Sequence, residues 1–65
     1  MDSAKSTRLE TEFLTVTEVA KTLRVSRMTV YRLVEDGKIP AYRFGHIFRI
    51  ALDDFNAFVE RNKKA

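Results

Sequence analysis

Apolar residues change their spacing along the chain, and the changes divide it into elements. From Met1 to Glu12 the residues are polar, mixed in charge and without period, so residues 1–12 read as a mobile N-terminal tail. Val16, Val19, Ala20 and Leu23 then recur at i, i+3, i+4 and i+7, which is one buried face of a helix from about Val16 to Leu23. Thr15 and Glu18 stand at the spacing of a capping box, in which hydroxyl and carboxylate each accept an otherwise unpaired backbone N–H. Ser26 is a second N-cap candidate, leaving only Arg24 and Val25 between two helices. The second helix is expected from about Arg27 to Asp36, with Val30, Leu33 and Val34 as its apolar stripe and Gly37 ending it in the left-handed conformation. Arg27, Met28, Tyr31, Arg32 and Glu35 then face elsewhere, and an outward Met and Tyr need a reason.

From Ile39 the period falls to two, and Pro40 suits the edge or start of a strand. Gly45 stands at the reversal of a hairpin. A two-residue loop, Gly45 and His46, would pair Phe44 with Ile47 and Tyr42 with Arg49, mixing a charge into an aromatic face. A three-residue loop, Gly45 to Ile47, pairs Phe44 with Phe48, Arg43 with Arg49 and Tyr42 with Ile50, and separates the faces. The pattern favours the second register, although three-residue loops usually carry Gly later than the first position. A last helix is expected from about Leu52 to Asn62, with Leu52, Phe55, Phe58 and Val59 on one side. Asp53 and Asp54 suit its N-terminus and Arg61, Lys63 and Lys64 its C-terminus, while Ala51 is a poor N-cap. The expected fold is mainly α with a β-hairpin: helix, helix, hairpin, helix, a single domain over 13–62 with a C-terminal tail at 63–65.

Composition narrows the function. At 65 residues the chain makes one small domain, and 45% hydrophobic content favours a packed one. With no Cys and one His, neither a disulfide framework nor a Cys/His zinc site is expected, and no cofactor is implied. No apolar run approaches the roughly 18 residues of a membrane span, and Met1 to Glu12 does not resemble a signal peptide, so a cytoplasmic protein without a membrane partner is expected. The net charge of +3 is unevenly spread. Lys21 to Arg49 holds Lys21, Arg24, Arg27, Arg32, Lys38, Arg43 and Arg49 against Glu35 and Asp36. The segment before it is net acidic and the one after it neutral. A basic centre is the footprint expected for contact with a polyanion, the alternative being an ordinary solvated surface.

Two helices on a very short turn, the second with a polar outer face, suggest a helix-turn-helix. The stretch VTEVAKTLRVSRMTVYRLV resembles the helix-turn-helix of the MerR-like and excisionase-like families, with Ala20 at the helix crossing. The continuation GKIPAYRFGHIFRIALDDFNAFV is similar to their wing and following helix, in Arg43-x-Gly45, in Arg49 and in the Asp-Phe-x-x-Phe of the last helix. The resemblance covers about Phe13 to Val59 and implies a winged helix-turn-helix of the single-domain kind. This chain departs from it twice. Arg24 stands where relatives carry Gly or Asn, so a left-handed turn there would cost roughly 1 kcal/mol unless the turn is rearranged. His46 and Ile47 occupy a wing tip that is often basic, which argues against strong phosphate binding at the tip.

The resemblance implies double-stranded DNA as partner, with the second helix in the major groove and the wing on the backbone or minor groove. Arg27, Met28, Tyr31 and Arg32 are the candidates for base or backbone contact, since Arg can bond a guanine edge twice and Tyr and Met can meet methyls or sugars. For Tyr31 and Met28 the alternative is packing on the hairpin. Ser26 and Thr29 cap or touch phosphate. Arg43 and Arg49, opposed across the favoured register, would repel unless an anion or an acid lay between them. DNA phosphate is one candidate, and a salt bridge to Glu35, Asp36 or the last helix is the other. Gly45 serves the backbone, His46 touches DNA or stays solvated, and Phe44, Phe48, Phe55 and Phe58 read as core. The function expected is a small transcriptional regulator. The alternatives are an excisionase-type recombination factor, with an integrase as a further partner, and a protein-interaction module without DNA binding. No enzyme activity is expected, there being no Cys, one His, no phosphate-cradling Gly loop and too little chain to enclose a substrate. The long dimerisation helix and effector domain of full-length MerR relatives have no counterpart in the sequence, so the expectation is a monomer with no small-molecule effector that assembles with other copies of itself on adjacent DNA sites.

Overall fold

The computed structural model describes residues 12–64. Apart from Glu12, the expected N-terminal tail lies outside the described residues, as does Ala65. The elements run β1 (Phe13–Thr15), α1 (Val16–Leu23), α2 (Arg27–Glu35), β2 (Tyr42–Phe44), β3 (Ile47–Ala51) and α3 (Leu52–Arg61). This is a helix-turn-helix followed by a wing and a third helix, as expected, with one strand more. β1 lies antiparallel to β3 on the side away from β2, so the sheet is three-stranded in the order β1-β3-β2. The Glu12 carbonyl continues the contact by accepting from the Leu52 N–H at 2.8 Å.

Helix starts follow local chemistry. Thr15 Oγ1 accepts from the Glu18 N–H and Glu18 Oε1 accepts from the Thr15 N–H, both at 2.9 Å, a complete capping box. Ser26 Oγ accepts from the Thr29 N–H at 3.2 Å. α3 starts at Ala51 without a side-chain cap, relying on Asp53 and Asp54 in its first turn. Val19, Val30, Ile39 and Ile50 are wholly buried, one from each of α1, α2, the α2–β2 loop and β3, and Val16, Ala20 and Phe55 complete the cluster. Leu23, Leu33, Val34, Phe48 and Phe58 pack against it from partly buried positions, whereas Val59, expected inside, is exposed.

The hairpin takes the register that the pattern disfavoured. Tyr42 pairs with Arg49, Arg43 with Phe48 and Phe44 with Ile47, so the loop is Gly45 and His46 alone. Gly45 has φ +68° and His46 is not left-handed, matching the type II′ requirement for Gly at the first central position. The expectation failed because it put all the aromatics on one face. Phe48 and Ile50 turn inward, while Tyr42 and Phe44 lie on the opposite face with Phe13 of β1. The Phe13 ring stands edge-on to Tyr42 at 5.3 Å and to Phe44 at 5.8 Å, so these half-exposed rings cover one another. Phe44 is therefore not core.

Both ends of the helix pair close with the same pair of hydrogen bonds. At α2 the Gly37 N–H reaches the Val34 carbonyl and the Lys38 N–H the Leu33 carbonyl, with Gly37 at φ +74°. At α1 the Arg24 N–H reaches the Lys21 carbonyl and the Val25 N–H the Ala20 carbonyl, with Arg24 at φ 62° and ψ 45°. The turn is thus not rearranged, and Arg24 takes the left-handed conformation itself. Arg24→Gly is expected to raise stability by about 0.5–1 kcal/mol, the left-handed cost of roughly 1–2 kcal/mol outweighing the greater unfolded entropy of glycine. In a domain of this size that is a rise of a few degrees in thermal midpoint, measurable by circular dichroism.

Candidate nucleic-acid interface

Burial of Val30 fixes the phase of α2. Met28 and Arg32, one turn apart, point away from the core, with Tyr31 flanking them. Met28 is 65% exposed and Tyr31 41%, so this helix presents large apolar side chains to solvent. Arg27 and Arg32 are exposed beside them. Ser26 and Thr29 are occupied with the helix start: besides the cap, their hydroxyl oxygens lie 3.0 Å apart.

The wing adjoins this face through rings. Tyr31 meets Phe48 of β3 edge-on at 6.0 Å, and the Arg43 guanidinium lies over the same Phe48 ring at 5.8 Å. Arg43 Nε also donates to the Gly45 carbonyl at 3.0 Å, tying the side chain to its own turn. Tyr31 therefore does pack on the hairpin, as the alternative held, while leaving much of its surface open. Met28 keeps most of its surface open to solvent.

The expected opposition of Arg43 and Arg49 does not occur. In the observed register the two fall on different strand pairs and opposite faces of the sheet, so the inference from like-charge repulsion is withdrawn. Arg49 is half-buried, and its Nη1 donates to the Phe48 carbonyl at 3.1 Å. Gly45 and His46 form the exposed wing tip, with Ile47 exposed just after it.

The structure thus groups Arg27, Met28, Tyr31 and Arg32 on α2, and places Arg43, Gly45, His46 and Arg49 in the wing that Tyr31 touches. Thr17, exposed at the start of α1 and close to Tyr31 and Arg49 around one cleft, was not a candidate from the sequence. Its signal was slight: a hydroxyl in a first helical turn is ordinary, and its nearness to the wing depends on β1. Among the described residues no group of three or more His, Asp and Glu side chains could hold a metal ion, and no helix is long and apolar enough to cross a membrane.

Residues 13–63 match a family model described as a helix-turn-helix domain, and the chain belongs to that excisionase-like family. Three relatives are informative in their extent. A Mycobacterium tuberculosis (strain H37Rv) protein named "Putative DNA-binding protein Rv0500A" is 58% identical over 41 residues, 63% of this chain and 53% of that protein. The uncharacterized protein YvgK of Bacillus subtilis (strain 168) is 43% identical over 49 residues, 75% of this chain but 16% of that protein. The uncharacterized protein Rv2310 of Mycobacterium tuberculosis (strain H37Rv) is 41% identical over 51 residues, 78% of this chain and 45% of that protein. The match to Rv0500A spans about half the length of that relative. No solved structure matches the chain.

The Phe48 ring joins helix and wing, so its removal should be felt by both. Phe48→Leu keeps an apolar side chain but deletes the contacts to Tyr31 and Arg43, at an expected cost of about 1–2 kcal/mol by thermal or urea unfolding. Amide exchange should rise in the hairpin before it rises in α1.

Proposed function

We propose that this protein is a sequence-specific double-stranded DNA-binding protein acting as a small transcriptional regulator. The contact of Tyr31 with Phe48, and of Phe48 with Arg43, supports the reading most directly: it joins the solvent-facing side of α2 and the basic wing into one surface. An α-helix fits the major groove of B-DNA, which presents a distinct pattern for each base pair. In this reading α2 enters that groove, with Arg27 and Arg32 as donors to base edges or backbone and Met28 and Tyr31 against methyls or sugars. Ser26 and Thr29 fix the helix start at the backbone. Arg43, Gly45, His46 and Arg49 follow the flanking backbone or minor groove. Membership of a helix-turn-helix family, and the name of the mycobacterial relative, support the same assignment.

The two parts of the surface should respond differently to mutation. Arg43→Ala is expected to weaken binding to all sequences and to reduce the slope of log affinity against log salt by about 1. Arg27→Ala and Arg32→Ala should in addition relax preference at individual base pairs, by about 1–3 kcal/mol each. Anisotropy titrations over several salt concentrations, with a selected site and scrambled duplexes, check both. Folded variants that all keep wild-type affinity and slope would overturn the reading. Genome-wide mapping of bound sites tests the biological role: sites upstream of genes fit a regulator, and sites beside an integrase attachment region would assign the alternative role in recombination.

One recognition helix reads few base pairs, so specificity is expected to come from copies on neighbouring sites. The three partly exposed rings Phe13, Tyr42 and Phe44 fall well short of the roughly 20–30 residues a side of a stable interface. Sedimentation of the free protein should therefore give a monomer, and titration of two-site DNA should show cooperative filling. A stable dimer in the absence of DNA, or independent filling of the two sites, is the contrary result.

A further inference from the structure

We infer that the outer face of the sheet is where two copies of this chain meet on DNA, packing one aromatic patch against its own counterpart across a two-fold axis. The inference rests on the DNA-binding reading above and names the surface and the symmetry of the assembly expected there. Strand pairing places Phe13 of β1, Tyr42 and Phe44 of β2, and Ile47 and Arg49 of β3 on the face opposite Phe48 and Ile50. Its four large apolar side chains are between 39% and 53% exposed, which makes this face the main cluster of exposed hydrophobic residues among those described. The rings are already ordered. Tyr42 and Phe44 lie stacked at 6.3 Å, and Phe13 stands edge-on to both. A platform whose side chains are held in folding loses little freedom when it docks.

Three observations assign the occupant. The first is charge. No carboxylate stands on this face, and its one cation, Arg49, is half-buried, with Nη1 on the Phe48 carbonyl and the side chain lining the cleft beside Thr17. A face so nearly neutral offers little to a polyanion or an acidic peptide. The second is self-complementarity. A head-to-tail contact needs a different apolar patch to receive this one, but the other exposed hydrophobic residues stand apart: Val25 in the turn, Val59 on α3, and Met28 and Tyr31 on the side of α2 read as meeting DNA. Among the described residues the patch is matched by a second copy of itself, the isologous contact of a two-fold pair. The third is position. The inner face holds Phe48 against Tyr31 of α2, so the outer face looks away from that helix, and Ile47 carries it up to the wing tip. With α2 in a major groove and the wing on the flanking backbone, the face looks along the duplex toward the next site. Four side chains are too few for a dimer in free solution. DNA that holds two copies side by side supplies a local concentration on the order of millimolar, at which a weak contact forms.

The test is titration of the full chain onto duplexes carrying one selected site, two in direct repeat, and two inverted in either sense, over a range of spacings. In the inverted sense that brings the wings together, the second copy should bind about tenfold tighter than the first at the best spacing. Direct repeats should fill independently. The Tyr42→Thr/Phe44→Thr pair keeps β-branched residues in β2 and should bind the single site as wild type does while losing that gain. Because the chain has no cysteine, Phe44→Cys or Tyr42→Cys supplies a single thiol beside the proposed axis. With a mild oxidant, at least one of them should link two copies by a disulfide on the inverted duplex and not on the single site, a readout that decides the matter if the paired variant fails to fold. A gain confined to direct repeats, a gain kept by the folded paired variant, a gain with neither thiol crosslinked, or independent filling at every spacing overturns the two-fold contact and leaves the DNA-binding reading in place. Absence of wild-type binding to the single site at low salt overturns the DNA-binding reading and the contact with it.

Discussion

Complete burial of Ile50 sets the phase of everything around it. β3 is the central strand, paired on both sides, and side chains along a strand alternate between faces. With Ile50 inward, Phe48 is inward too, and Ile47 and Arg49 must lie on the other face. Cross-strand pairing carries that choice to β2, where Arg43 shares the Phe48 face and Tyr42 and Phe44 do not. A slip of one residue would exchange these sets, and Tyr31 would then meet a charge or an exposed isoleucine in place of a ring. The join between α2 and the wing thus descends from a residue that does not reach the surface.

The helical part of the fold was legible because its determinants are local. Thr15, Glu18, Ser26 and Gly37 act within a few residues of where they stand, and the observed bounds of α1 and α2 follow from them. The turn at Arg24 was left open by the sequence, since an arginine there argues for a rearranged turn, whereas the hydrogen bonds that close α1 hold Arg24 in the left-handed conformation. β1 was not legible. Three residues are too few to show a period, and Phe13–Thr15 is a strand only because β3 lies beside it. That omission propagated: without β1, Tyr42 and Phe44 have no reason to leave the core face, whereas with it they have Phe13 to pack on. The register error, and the inference drawn from Arg43 facing Arg49, share this origin. On the candidate interface, the exposed side of α2 followed from the period of its apolar residues. The proximity of Thr17 to Arg49 and Tyr31 did not, because it depends on pairing between distant segments.

A domain this small has one core, and its four wholly buried side chains come from four separate segments. None of α1, α2, β3 and the loop between α2 and β2 can be removed without opening that core, and Phe55 brings α3 into the same cluster. Arg61 adds a tie of another kind, donating to the Lys38 carbonyl at 2.9 Å and so fastening the end of α3 to the loop between α2 and β2. The outer face of α2 takes little part in these contacts. Tyr31, on Phe48, is the exception, and the exposed Arg27, Met28 and Arg32 can vary in chemistry with little effect on the frame.

The bond from Arg43 back to its own turn changes the character of the wing's charge. A long side chain in water samples many rotamers and loses most of that freedom when it docks, a loss that offsets part of the attraction. Here Gly45 and Phe48 restrict the guanidinium before any partner arrives, so much of the ordering is already built into folding. The glycine thus has a second role, since its carbonyl anchors the cation whose strand it reverses. Gly45 thus shapes the turn and limits the freedom left to the Arg43 side chain, and lengthening the loop would loosen both.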